Sequence, residues 1–593
     1  NISSGMRCAL TTRASCATSK DTSTSTAFDI VDQSLDDPMT TPAGTLIGHL
    51  TEVRGNEFVA RLLADEDGFQ PVVRFEDEEV MVGQIGGYVA VQQGGVHVVG
   101  LVARTWQEDP PIGTSDAGVP LAPRRFIAMM PVGQIDERGH FLRGVHRFPT
   151  TGAELHAMDS ATLSILFEQF RKLGFDVGHL PSRPEAKVYL DPSPMFGRHL
   201  AILGQSGAGK SWTVSALMQR MVQVMPRCHV VVLDLHGEYA WKDEKGNLQM
   251  IFPPGIARYV DARELEIPFW LLTFAELADL LIDRADPRAS VQIAFLREVV
   301  FSLRKKANAE LGLERLSVDS PVYFNLMEMF LHFKKANEQQ LDFGKTKGAL
   351  FGQFDEFLIK LQSKLNDARY DFLFKPKNRN ESSTLISLLR DFVGLGRPRA
   401  QVTIIDLSPI PSDVRPTVSA QIGRLAFEFN YWNPRRREFP ILLVCEEAHA
   451  YIPRASGTGY EGTRRSMERI AKEGRKYGVG LAVVSQRPTE LSETVLAQCG
   501  NYICLRITNP DDQAYVRKLV PEGSRDLVDI LTSLGRGEAL VLGECTPLPT
   551  RFQMYRPNPP PNSQDADFYG AWRAGPDDLD VAGIVSHWWE QVR

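Results

Sequence analysis

Residues 204–211 read GQSGAGKS, a G-x-x-x-x-G-K-[ST] pattern whose residue types suit the cradling of a run of phosphates. Gly204, Gly207 and Gly209 let the backbone take positive φ and approach an anion closely. Successive amide N–H groups then form a concave nest, and a helix starting there adds positive potential. Lys210 is expected to reach the β- and γ-phosphates, and the Ser211 hydroxyl to ligate Mg²⁺. The nucleotide-binding set is expected to be Gly204, Gln205, Ser206, Gly207, Ala208, Gly209, Lys210, Ser211 and Trp212. These residues predict binding of a nucleoside triphosphate with Mg²⁺.

Two further stretches carry groups that hydrolysis needs. Ile441-Leu442-Leu443-Val444-Cys445 is an apolar run ending in Glu446-Glu447. In P-loop enzymes the first such carboxylate supports the metal and the second polarises the attacking water. Glu446 is therefore the expected metal residue beside Ser211, and Glu447 the expected catalytic one. The first position is normally Asp, and Glu is longer by one methylene. Val483-Val484-Ser485 is another apolar run, ending in Gln486, which is placed to sense the γ-phosphate. A surface Glu pair and a plain turn are the bland alternatives for these two strand ends.

The elements that must position these groups alternate between strand and helix. His199 to Leu203 reads as a buried strand entering the phosphate loop, and Trp212 to Val224 as the helix leaving it. His229 to Asp234 is a second buried strand. Further strands are expected at 401–407, 440–445, 480–485, 501–507 and 538–542, with helices at about 416–429, 461–477 and 511–519. Such alternation predicts an α/β core with a parallel sheet covered on both faces. Short β-rich runs between 44 and 150, separated by Gly-containing turns, predict a small barrel, a sandwich being the alternative. Amphipathic segments from 274 to 398 predict a helical insertion. Residues 151–273 and 399–556 would then be the two parts of the core. Residues 1–43 are Ser/Thr-rich and expected to be a disordered leader; 557–593 form a tail opened by Pro-rich sequence.

Composition sets outer limits. The chain has 593 residues, 43% hydrophobic and 23% charged, which is ordinary for a globular protein. No apolar run is long enough to span a bilayer, so no membrane association is expected. Seven cysteines without close CxxC pairs argue against a disulfide framework or zinc ribbon, and point to a reducing cytoplasm. The net charge of −7 does not advertise nucleic-acid binding, although a ring can concentrate basic groups in its pore.

Taken together, RHLAILGQSGAGKS, VVLDLHGEY, IPFWLLTFAELADLL, CEEAHAYIP, ERIAKEGRKYGVGLAVVSQRP and SLGRGEALVLGECTPLP resemble the HerA family of the HerA/FtsK superfamily. The likeness runs from about residue 44 to 556. It implies a RecA-like P-loop ATPase core with an N-terminal barrel and a helical insertion, hydrolysing ATP as a homohexameric ring around DNA. It also implies a nuclease or sirtuin-like effector bound through the barrel, in DNA end processing or anti-phage defence. Arg475 and Arg198 match family positions from which an arginine reaches a neighbour's nucleotide. A rival of another class is an NTP-gated ring scaffold that assembles and activates an effector, with translocation incidental. A small-molecule P-loop kinase fits poorly, because no lid with clustered arginines is evident.

Overall fold

Strand Leu200–Leu203 is buried at all four positions and lies inside an eleven-stranded sheet. The computed structural model describes residues 44–590 apart from 65–68, 76–77, 110–122, 244, 342–345, 411, 413, 455–460, 521 and 577. The expected leader, 1–43, lies outside the described residues. Strand Leu200–Leu203 runs parallel to Val479–Ser485 on one side and to Asn501–Cys504 on the other. Beyond Val479–Ser485 the parallel order continues through Ile441–Cys445, Val230–Asp234, Val402–Asp406 and Ala257–Asp261. The three innermost of these runs, VGLAVVS, ILLVC and VVVLD, are buried at every position, as strands covered by helices on both faces must be.

The opposite flank is antiparallel. Glu538–Gly543 and Thr550–Met554 extend the sheet, followed by the hairpin Asp176–Leu180 and Arg183–Tyr189. Residues 176–189, which carry Pro181 and Pro184, form the sheet's edge hairpin. Pro184 sits there on the outermost strand, where a missing N–H breaks no ladder.

The N-terminal strands close on themselves. Leu46–Val53, Phe58–Leu62, Arg124–Ile135, Val96–Glu108, Tyr88–Gln93 and Glu154–Ala157 pair around a ring of six. Phe58, Val91, Val98, Ile127, Met129 and Leu155 fill its interior. The barrel thus runs past residue 150. Its closing strand, ELHA, is too short and polar to announce itself. One outer face, with Ala90, Val99, Leu101, Met130 and Val132, belongs to the same apolar core as the large sheet. Tyr88 Oη donates to Pro549 O at 2.8 Å across that contact.

Between the neighbouring strands Ala257–Asp261 and Val402–Asp406 the chain inserts its helices, among them Phe274–Leu281, Ala289–Leu311, Leu326–Asn337, Asp355–Asn366 and Thr384–Phe392. They pack through Phe295, Phe333, Phe354 and Phe357. The buried guanidinium of Arg304 anchors them, donating to Trp270 O at 2.9 Å and Leu272 O at 3.2 Å. Among the described residues no helix is long and apolar enough to cross a membrane.

Candidate functional site

Parallel strands finish at one edge, so the register decides which side chains meet there. Leu203 pairs with Ser485, Cys445 with Val483, and Leu233 with Cys445. The phosphate loop, the turn after Asp234, the Glu446–Glu447 pair and Gln486 therefore leave adjacent strands at the same level.

The loop itself is shaped by glycine where glycine is required. Gly207 has φ 73° and Gly209 φ 105°, and Gly209 caps the helix Lys210–Val224. A side chain at Gly204 would place its Cβ 2.9 Å from Leu505 Cβ. The exit of the neighbouring strand straps the loop down. Gln205 N donates to Arg506 O at 2.9 Å, and Gln205 Oε1 accepts from Thr508 N at 3.0 Å and Thr508 Oγ1 at 2.6 Å. Ser206 and Gly207 form the exposed tip, with Ala208 buried behind them and donated to by Gly537 N at 3.2 Å. Lys210 is buried and donates to Gln205 O at 3.3 Å, while Trp212 Nε1 is buried without a partner. A helix start whose first N–H groups have no partner four residues back, under a loop open for a close anion, fits a phosphate chain.

The carboxylates occupy two levels. Glu447 takes a left-handed conformation, φ 45° and ψ 47°, uncommon for a residue with a side chain; His199 and Glu266 are the other positive-φ non-glycine residues among those described. Its Oε2 is buried without a hydrogen-bond partner and lies 3.2 Å from His449 Nδ1. Glu446 is wholly buried, and its Oε2 accepts from Tyr239 Oη at 2.6 Å. Burial pushes its carboxyl up to about 8, with Glu238, Glu447 and Asp234 adding repulsion against the Tyr239 hydrogen bond.

Sequence reading singled out neither Glu238, Tyr239 nor His449. Asp234, whose burial raises it to about 7, accepts from the backbone N–H groups of Gly237, Glu238 and Tyr239 at 2.9, 3.0 and 2.9 Å. That closes a tight turn, with Gly237 at φ 72°. Glu238 follows in this turn beside Ser211 of the phosphate-loop helix and in the field of His236, Glu447 and Lys210, with Oε2 buried and unpartnered. Burial raises its carboxyl, and the Ser211 contact opposes the shift. The signal available in sequence was His236-Gly237-Glu238-Tyr239, a Gly followed by an acid directly after a buried strand.

Gln486 is half-buried at the end of its strand and, among the described residues, makes no hydrogen bond. The two arginines lie elsewhere. Arg198 precedes strand Leu200–Leu203 and is paired with Glu544. Arg475 is exposed on the last turn of helix Glu461–Tyr477. It lines an apolar cavity of about 590 Å³ with Phe196, Met221, His229, Ile441 and Val479, at the beginnings of the strands. Neither arginine joins the phosphate loop of its own chain.

Residues 175–426 match the family described as Helicase HerA, central domain, and residues 440–563 match Helicase HerA-like C-terminal. The DNA double-strand break repair helicase HerA of Pyrococcus furiosus is 30% identical over 413 residues, covering 64% of this chain and 69% of that one. The protein of the same description from Sulfolobus acidocaldarius is 28% identical over 447 residues, covering 74% and 80%. Among solved structures, VirB4 of Thermoanaerobacter pseudethanolicus is similar with a TM-score of 0.43 at 16% identity, covering 64% of this chain and 96% of that one.

Proposed function

This chain belongs to the HerA helicase family, and from that premise we propose that it is an ATP-driven DNA translocase working as a homohexameric ring. The observation that carries the reading is the meeting, at one sheet edge, of the phosphate loop, the left-handed Glu447 and the unpartnered Gln486. Lys210 and the N–H groups of Ser206, Gly207 and Gly209 to Trp212 hold the triphosphate, while those of Gln205 and Ala208 are taken within the protein. Glu447 orients a water for in-line attack on the γ-phosphate and takes its proton, while Gln486 hydrogen-bonds the γ-phosphoryl oxygens. Mg²⁺ held at Ser211 supplies neutralisation of the phosphate charge. Arg475, which among the described residues pairs with no carboxylate, and Arg198, which pairs with Glu544, are the two arginines that would complete a neighbour's site in this reading. In this reading DNA is gripped through its backbone, and affinity falls steeply with salt. The barrel presents the docking surface for a nuclease or sirtuin-like effector, in DNA end processing or phage defence, and the ring works in the cytoplasm. The test is triplex displacement by the full chain with ATP and duplex DNA. Displacement that needs ATP and is lost in Glu447→Gln supports translocation; DNA-independent turnover without displacement overturns it.

A further inference from the structure

We infer that Glu238 is the carboxylate that meets Mg²⁺ at this site, and that Glu446 is a positioning residue acting through Tyr239. The inference rests on the nucleotide-site reading above and names a residue within it. The two carboxylates differ in what surrounds them. Glu446 lies at the end of strand Ile441–Cys445, wholly buried. One of its side-chain oxygens is taken by Tyr239 at 2.6 Å, and its carbonyl by Tyr451 Oη at 3.0 Å. Glu238 lies beside Ser211 at the head of the phosphate-loop helix, with His236, Glu447, Lys210 and Glu446 itself as its charged neighbours. Its Oε2 is shielded from water and has no partner, an acceptor prepared for a group that arrives with the nucleotide.

The backbone explains the division. Glu238 and Tyr239 are consecutive and have different partners: the first lies beside Ser211, and the second hydrogen-bonds Glu446. The three N–H groups donated to Asp234 fix this turn at its base. Glu446 fixes it at its tip by holding the Tyr239 hydroxyl. Among the described residues no three His, Cys, Asp or Glu side chains form a metal cage. A hydroxyl with one carboxylate, completed by phosphate oxygens and water, is how Mg²⁺ is ordinarily bound.

The experiment measures binding of a fluorescent ADP analogue to the full chain, first in EDTA and then across a Mg²⁺ titration, with Mn²⁺ electron paramagnetic resonance in parallel. In Glu238→Gln and Glu238→Ala the metal concentration at half-effect rises about 10- to 100-fold, while affinity in EDTA is unchanged. Glu446→Gln keeps the wild-type midpoint, because the amide oxygen still accepts from Tyr239. A wild-type midpoint in the Glu238 variants overturns the assignment, and so does an equal shift in Glu446→Gln. Loss of affinity in EDTA makes Glu238 a brace of the loop and likewise overturns it. If the wild type itself binds no nucleotide, or binds it equally with and without Mg²⁺, the reading of the whole site fails rather than this residue alone.

Discussion

His449 Nδ1 lies 3.2 Å from Glu447 Oε2, and the same nitrogen is 3.3 Å from Ser485 Oγ. One imidazole thus joins the Glu447 carboxylate to the strand end that carries Gln486. Burial lowers the imidazole's pKa, against the pull of Glu447. His449→Ala should lower kcat about 10- to 100-fold through loss of orientation, with nucleotide affinity unchanged. His449→Asn, which keeps a donor near Cβ, should recover part of it. Equal loss in both variants would remove the positioning role.

Phosphate grip and water activation should separate by mutation. Lys210→Ala removes one charged contact and should weaken nucleotide binding by roughly 10- to 100-fold. Glu447→Gln should bind ATP like the wild type and lose about 10²- to 10⁴-fold in turnover. Normal turnover in Glu447→Gln would move the base elsewhere. Equilibrium binding beside single-turnover hydrolysis distinguishes the cases.

Arg475 and Arg198 lie at the strand starts, Arg475 without a carboxylate partner among the described residues and Arg198 paired with Glu544. Rings mixed from Glu447→Gln and Arg475→Ala subunits should regain ATPase activity, because some interfaces then join an intact Glu447 to an intact Arg475. Arg198→Ala mixed in the same way should regain less. A flat curve across all mixing ratios, in rings shown to exchange subunits, excludes a trans arginine at 475.

Glu446 makes stability depend on pH in a defined direction. Its folded carboxyl is raised to about 8, so the fold favours the protonated form. Stability is then fully present below the unfolded value of about 4.3 and is lost as pH rises toward 8, by at most about 1.4 kcal/mol per pH unit. Glu446→Gln keeps the acceptor for Tyr239 and removes the titration. Chemical denaturation of the nucleotide-free protein between pH 5 and 8 should give a shallower decline for this variant than for the wild type. Parallel slopes would rule the effect out.

Removing the barrel is not a neutral operation. Ala90, Val99, Leu101, Met130 and Val132 are shared with the core of the large sheet, and deletion of 44–157 leaves their partners bare. The exposed apolar area should cost on the order of 10 kcal/mol, comparable with the stability of a whole domain. The truncated chain is expected to aggregate. Effector docking is better tested with Phe148→Glu, since Phe148 is exposed on the barrel. That variant should retain ATPase activity and lose effector capture; full capture would place the docking surface elsewhere.

Much of this arrangement was legible because continuous apolar runs mark buried parallel strands, and each run ends at a residue that can be named. The phosphate loop, Glu447 and Gln486 follow from that rule. What escaped depends on contacts distant in sequence. Strand Ala257–Asp261 reads ARYVD, and its strand character comes from pairing with Val402–Asp406, far downstream. Glu154–Ala157 belongs to the barrel only because two other strands leave a gap for it. The roles of Glu446 and Glu238 could not be separated from spacing, because they rest on which carboxylate Tyr239 reaches.

The order of the sheet also sets a timetable for synthesis. Strand Leu200–Leu203 pairs with Val479–Ser485 and Asn501–Cys504, made some 280 and some 300 residues later. At about 5–20 residues per second the ribosome needs roughly 15–60 s to deliver them. Throughout that interval the nascent strand LAIL has neither of its partners, and its N–H and C=O groups are open to any passing strand. The nucleotide therefore cannot help the first half of the chain to fold. The phosphate loop acquires its strap from Arg506 and Thr508 only after most of the polypeptide has left the tunnel. A chain cut short before residue 479 carries the whole GQSGAGKS sequence and has no site to show for it.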